Sequence, residues 1–355
     1  MVETVIKGVS IEGVVTVVPS DKVSFEEDAR RLNINISQAK RIKDNIGLGE
    51  RRVVKKGITA LDLGEKACKE LLKGLKYNEE NIGFLIFVTQ TPDHSQPCNA
   101  AILHGRLGFN TSVGSMDINL GCSGYIYGLF VAATMIKSLN KDVLLVVGDT
   151  LSTKVNQLDR SAGILFGDAA SATLLISNDE KEMFFDLSSD GSAYESIIVP
   201  AGGARMPLSN ETSKETEDQD GNIRSLNDLK MNGGDVFNFA VRTEPKAVQN
   251  LLDYSKIAAE DVDFFFFHQA NKYIIRTIAR RLKLPKGRVP DSIITKYGNQ
   301  SSASIPCAIN ETLIANESKL SLLSGFGVGL SWASMICELE LKYSPLPIIW
   351  DQTSE

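Results

Sequence analysis

Three residues are placed where covalent and acid–base chemistry could be done: Cys122, His268 and Asn299. Cys122 follows Met116-Asp117-Ile118-Asn119-Leu120-Gly121, which reads as a strand and a tight turn. It precedes an apolar run, Tyr125 to Ile136, that reads as a buried helix. A thiol at the start of a helix lies beside unpaired backbone N–H groups and the positive end of the helix dipole. Both favour the thiolate, the nucleophilic form. His268 ends the run Phe264-Phe265-Phe266-Phe267, at the carboxyl edge of a buried strand, where open α/β sheets gather their ligands. Asn299, in Tyr297-Gly298-Asn299-Gln300-Ser301-Ser302-Ala303-Ser304, reads as falling after a strand and before a helix. An Asn there serves either as a helix N-cap or as an amide donor in a site.

The other sulfurs and imidazoles read as structural. Cys68 and Cys307 fall in apolar helical stripes, Cys337 alternates within a strand, and nothing flanking Cys98 in its loop would activate it. His104 lies in a helical pattern, and His94 in a loop is left open. Five widely spaced cysteines and three histidines, with no CxxC or HxxxH pair, predict no disulfide framework, no zinc site and no metal or redox cofactor.

The elements that position these residues alternate between short apolar runs and helical patterns. Ile82–Val88, Val143–Gly148 and Val262–Phe267 read as strands buried on both faces, and Ala60–Leu75 carries one helical stripe. This order predicts an α/β fold with largely parallel sheets. Hairpins are expected at Ile164–Ile176, around Gly167-Asp168, and at Leu320–Leu341, around Gly325–Gly329. The polar stretch Asn178–Glu182 divides the chain into expected halves, 1–178 with the cysteine and 179–345 with the histidine and asparagine, leaving 346–355 as a tail. Ser209–Asp220 reads as an exposed mobile insertion. The two halves echo each other, strand, strand end, helix and hairpin, with Cys122 and Asn299 at equivalent positions.

Lys+Arg total 38 and Asp+Glu 44, a net charge of −6, which argues against a broadly basic nucleic-acid binder. The N-terminus has no basic segment leading into an apolar core, and the longest apolar stretch, Ile126–Ile136, is too short to span a bilayer. A cytoplasmic protein without membrane insertion is expected. One local face departs from the acidic balance: Gln269–Pro290 contains Lys272, Arg276, Arg280, Arg281, Lys283, Lys286 and Arg288 and no acid. Such a face suits an acidic carrier protein or a coenzyme phosphate.

Cys, His and Asn in that order fit a papain-like hydrolase, but the local signature of that family around the cysteine is absent. Several segments resemble instead the β-ketoacyl-acyl carrier protein synthase III family: Asn119-Leu120-Gly121-Cys122-Ser123-Gly124, Phe166-Gly167-Asp168-Ala169-Ala170, His268-Gln269-Ala270-Asn271, Tyr297-Gly298-Asn299-Gln300-Ser301-Ser302-Ala303-Ser304 and Gly325-Phe326-Gly327-Val328-Gly329-Leu330-Ser331-Trp332. The resemblance runs from about residue 5 to residue 343. It implies a thiolase-like five-layer α-β-α-β-α fold of two related halves, a homodimer, and acyl-CoA or acyl-carrier protein substrates rather than a bound cofactor.

By that resemblance Cys122 is the acyl-accepting nucleophile, and His268 and Asn299 bind the malonyl thioester carbonyl. The backbone N–H groups of Cys122 and Val328 form the oxyanion hole. Lys272, Arg276, Arg280 and Arg281 are the expected docking face for carrier protein or coenzyme A. The departures are as informative. The Trp and Arg that grip the adenine of coenzyme A in typical members are missing near Arg41 and Asn45, and a pantetheine-contacting Asn falls at Gly234. An aromatic residue that limits the acyl pocket across the dimer falls near Gln96. The implied reaction is a decarboxylative Claisen condensation with malonyl-carrier protein from a non-standard acyl primer. The alternatives are acyl transfer to an alcohol or amine of a sugar or secondary metabolite, and a catalytically silent partner subunit.

Overall fold

The computed structural model describes residues 2–351. Its frame is a nine-stranded mixed ladder, in which the strand Phe264–Phe267 lies at one end and Gly114–Ile118 at the other. Between them, in spatial order, run Ser318–Gly327, Ser331–Glu340, Ala169–Ser189, Asp142–Asp149 and Ile82–Val88. Val2–Pro19 pairs antiparallel along Ala169–Ser189.

The apolar clusters reveal five layers within this ladder. One cluster joins the helix Ala60–Leu75 and the helix Asn99–Leu107 to strand residues such as Leu85, Phe87, Leu144 and Val146. The alternate residues of the same strands, Ile86, Val88, Leu145 and Val147, face the central helices Gly124–Leu139 and Ser304–Thr312. Phe266, Leu323 and Met335 of the second half face those same helices from the other side. Phe265, Phe267, Leu322 and Ile336 then pack outward on the helices Gly233–Ser255 and Lys272–Arg281. Strict alternation of side chains along each strand thus feeds two apolar faces at once.

Ala169–Ser189 explains how two halves share one ladder. Residues 169–175 pair with Asp142–Asp149, and residues 183–189 pair with Ser331–Glu340. The polar residues 178–182 lie between, so they form no linker; they are the mostly exposed middle of a continuous strand. The expected tail also contributes, since Ile348–Trp350 adds a short strand parallel to Val17–Pro19.

Two further expectations are corrected. Ile164–Phe166 forms no hairpin arm: it packs as a turn, and only the segment after Asp168 becomes strand. Gly167 is the reason, because a Cβ there would stand 1.9 Å from the Tyr297 carbonyl oxygen, and its backbone is committed to Asn299 instead. Ser209–Asp220 is exposed but built, with Thr216–Glu217 paired to Ile223–Arg224 and Arg224 bridging Asp218 and the buried Asp159. The second hairpin, Ser318–Gly327 with Ser331–Glu340, is present in full antiparallel register. Among the described residues no helix is long and apolar enough to cross a membrane.

Candidate active site

A cavity of about 590 Å³ gathers Cys122, His268, Asn299 and Val328 from four separate segments. Its remaining wall is mostly apolar, including Leu151, Ile164, Phe166, Ile197, Leu229 and Met231.

Cys122 sits between the strand Gly114–Ile118 and the helix Gly124–Leu139, in a turn closed by a 2.7 Å bond from Gly124 N to Gly121 O. Gly327 faces it with φ 158°, and a Cβ at that position would stand 2.7 Å from the Cys122 sulfur. A side chain at 327 would therefore occupy the space of the thiol. The next residue, Val328, turns its N–H toward that sulfur. Ser331 Oγ donates to Val328 O at 2.8 Å and lies 2.7 Å from Ser123 Oγ, which ties the two turns together. Neither serine stands out in the sequence; a hydroxyl directly after Cys122 is the available signal.

The thiol reaches the cavity yet is ringed by protein, and burial pushes it up to about 11 against the pull of nearby N–H groups. Desolvation thus works against the thiolate that the helix terminus favours. Cys68, Cys307 and Cys337 are buried in the core, and Cys98 stands just before the helix Asn99–Leu107 without a side-chain capping bond to it.

His268 follows Phe267, and its N–H donates to Ser324 O at 2.8 Å, extending the parallel pairing by one residue. Its Nδ1 lies 2.7 Å from Ser304 Oγ. Because Ser304 Oγ already accepts the Gln269 N–H, its own proton is free for Nδ1, a pattern that assigns the ring proton to Nε2. The ring is 1% exposed and packs edge-on against Phe326. Burial lowers it to about 4, against a hydrogen bond to the Ser301 backbone, so the imidazole is neutral at physiological pH.

Asn299 is not at a strand end. It follows the short helix Ile293–Tyr297 and precedes the 3-10 turn Ser301–Ala303. Two backbone bonds hold it to the first half, Asn299 N to Leu165 O at 2.8 Å and Gly167 N to Asn299 O at 3.0 Å. Its Oδ1 accepts the Ser301 N–H at 3.0 Å, which leaves the amide N–H groups free for the cavity.

Profiles of 3-oxoacyl-[acyl-carrier-protein] synthase III match residues 116–191, and those of its C-terminal part match residues 252–339. A Campylobacter jejuni protein is 36% identical over 341 residues, covering 96% of each chain. The β-ketoacyl-[acyl-carrier-protein] synthase III of Campylobacter curvus is 38% identical over 297 residues, 82% of this chain and 85% of its own. The chain belongs to the 3-oxoacyl-[acyl-carrier-protein] synthase III family. Its fold is the thiolase-like α/β fold: the crystal structure of a 3-oxoacyl-(acyl-carrier protein) synthase from Burkholderia xenovorans LB400 superposes with a TM-score of 0.90 at 36% identity over 98% of both chains. The protein is a condensing acyltransferase of this type.

Within this synthase III chain the remaining expected residues are spread out. Asn45 lines the cavity, whereas Arg41 lies in a shallow surface pocket beside it. Gly234 sits in the first turn of its helix, whose N-terminus Asn232 caps, and the preceding Gly233 lines the cavity. Gln96 is exposed in the loop before Asn99–Leu107 and is not on the cavity wall of its own chain. Asn271 caps the basic helix through Ile274 N at 2.8 Å and also faces the cavity.

On that helix Arg276, Arg280 and Arg281 are exposed, while the stem of Lys272 lies over Gly47. The face is less uniformly cationic than its own residues suggest, because Arg276 pairs with Asp291 at 2.7 Å. Arg160, which sequence reasoning passed over, lines the cavity and is held by Leu32 O at 3.0 Å.

Proposed function

We propose that this chain loads an acyl group from a thioester onto Cys122 and condenses it with malonyl-carrier protein, with loss of CO₂. The observation that carries this reading is the opening of Asn299, His268 and Cys122 onto one cavity, with the Asn299 amide N–H groups left free. In the first step the Cys122 sulfur attacks the acyl carbonyl and gives up its proton. The proton then goes to the departing thiol, so thioester replaces thioester. In the second step the malonyl C–C bond breaks, CO₂ leaves, and the electron pair forms an enolate. The Asn299 amide and the His268 N–H, the latter shared with the Ser301 carbonyl, hold its oxygen in a largely apolar cavity. The enolate carbon attacks acyl-Cys122, and the N–H groups of Cys122 and Val328 receive the new oxyanion until the C–S bond breaks. Simple transfer to an alcohol or amine generates no enolate and has no use for Asn299.

The primer is a group other than acetyl from free acetyl-CoA, a reading supported by the missing adenine grip near Arg41 and by Gln96 in place of an aromatic. The carrier protein docks on the face of Lys272, Arg276, Arg280 and Arg281, beside the cavity mouth that Asn271 and Tyr273 line. A homodimer is supported by Gly114–Ile118, a half-buried edge strand with one side unpaired. A partner there is the means by which Gln96 would reach a second acyl cavity. Intact-mass analysis of Cys122 after exposure to a panel of acyl-CoA and acyl-carrier protein donors tests the first step, and CO₂ release from malonyl-carrier protein tests the second. Rapid loading by acetyl-CoA at low concentration would overturn the primer assignment; loading without CO₂ release would overturn condensation.

A further inference from the structure

Ser301 touches each of the three site residues through a different group. Its N–H donates to Asn299 Oδ1 at 3.0 Å, and its carbonyl accepts from the His268 ring. Its Oγ lies against both the Cys122 sulfur and the Asp149 carboxylate, in good alignment with neither. The residue is 1% exposed and holds φ at 51°, a left-handed conformation that is strained for a serine.

Asp149 ends the strand Asp142–Asp149 and is equally buried. Its Oδ1 accepts Gln90 N at 2.7 Å, Thr89 Oγ1 at 3.1 Å and Thr91 Oγ1 at 3.2 Å, while Oδ2 has no hydrogen-bond partner among the described residues. A buried carboxylate oxygen and a buried hydroxyl, both unsatisfied and adjacent, are costly unless a third group completes the set. Here the third group is the cysteine sulfur.

We propose that the Ser301 hydroxyl is a positioning group for Cys122, shared with Asp149 and passing its hydrogen bond to the sulfur as negative charge gathers there. The inference rests on the reading of Cys122 as nucleophile. When the sulfur is a neutral thiol or thioester, the hydroxyl turns to the carboxylate. When the thiol loses its proton, or the C–S bond breaks at the end of condensation, it turns to the sulfur. Asp149 and Ser301 then act on the thiol in opposite senses: the carboxylate charge disfavours the thiolate, and the hydroxyl favours it. Of the titratable groups around Cys122, Asp149 acts on it from the strand, and His268 and Arg160 line the same cavity.

The test is the pH dependence of Cys122 alkylation by iodoacetamide, followed by intact mass, for the wild type, Asp149→Asn, Ser301→Ala and Ser301→Gly. At a fixed pH below the midpoint, Asp149→Asn is expected to alkylate about threefold faster or more, and the two Ser301 variants about threefold slower or more. Ser301→Gly also relieves the left-handed backbone, so wild-type behaviour in that variant would assign the effect to backbone and overturn the proposal. Movement of all variants in one direction, or none, would overturn it as well. Should the Ser301 variants fail to fold, Asp149→Asn decides alone, faster alkylation supporting and unchanged or slower alkylation overturning. Failure of the proposed function is distinct: the wild type would alkylate normally and accept no acyl group from any thioester.

Discussion

The turn at Cys122 and the turn at Asn299 look equivalent along the chain, yet the molecule builds them in different ways. Cys122 is held by continuity, with a paired strand on one side and a sixteen-residue buried helix on the other. Asn299 is held by reach: the helix before it spans five residues, and its backbone is locked to Leu165 and Gly167 of the other half. Cys122 is therefore held by its own segment, while Asn299 depends on a segment more than a hundred residues away. Local sequence suffices to place the first; only packing between the halves places the second.

The largest effects should separate the two turns chemically. Cys122→Ala is expected to abolish acyl attachment completely. Asn299→Ala should leave attachment intact and cut CO₂ release by about 10²–10³-fold, the cost of one fixed donor to a developing oxyanion. Intact mass and CO₂ release on the same samples check both; equal loss of attachment in the two variants would break the distinction.

Glycine replacements test the two supports. Gly327→Ala places a methyl on the Cys122 sulfur and should lower acylation and condensation together by tenfold or more, with little change in Tm. Gly167→Ala drives into the Tyr297 carbonyl and should cost about 1–3 kcal/mol of stability while reducing condensation more than acylation. Thermal denaturation alongside the two partial reactions distinguishes them.

A histidine at its ordinary value of about 6.5 would lose its neutral form through mildly acid pH. Burial lowers His268 to about 4, so the neutral donor persists down to that value. The condensation half-reaction of the acylated enzyme should show no acid limb near pH 6.5; such a limb would mean a hydrated, ordinary imidazole.

A smaller effect concerns stability away from the cavity. Glu244 is fully buried beside Ser324 and Ser334, with Oε1 unpartnered, and burial raises its carboxyl to about 8. Asp186, opposite Ser334 in the ladder, is raised to about 6 for the same reason. A raised folded-state value favours folding below the unfolded value and loses that contribution as pH climbs through the folded one. Tm should therefore fall between about pH 4 and 8, and Glu244→Gln should flatten the upper part of that decline. A Tm independent of pH in the wild type would contradict it.

Much of this site was legible in the residues because its signals are local. A glycine turn between an apolar strand and an apolar helix marks Cys122, and a histidine closing four phenylalanines marks a strand edge, each within about a dozen residues. The hidden residues act across distance. Ser331, Ser304, Asp149 and Arg160 are ordinary polar residues in their own segments and gain their roles only from what packs against them. The misread hairpin at Ile164 and the supposed strand before Asn299 fail for one reason. Both segments satisfy their backbone groups by bonding each other, and periodicity within either carries no trace of that.

The sequence by itself determined the α/β class and the family, and singled out Cys122, His268 and Asn299 as the candidate site, because each resides in short runs of side chains whose spacing is fixed by backbone geometry. The tertiary structure alone decided that Ala169–Ser189 pairs on both sides of the ladder, that Asn299 is held from across the molecule, and that burial opposes ionisation of Cys122. The physical reason is desolvation and pairing: both are properties of the space around a group, and that space is assembled from residues far apart in the chain.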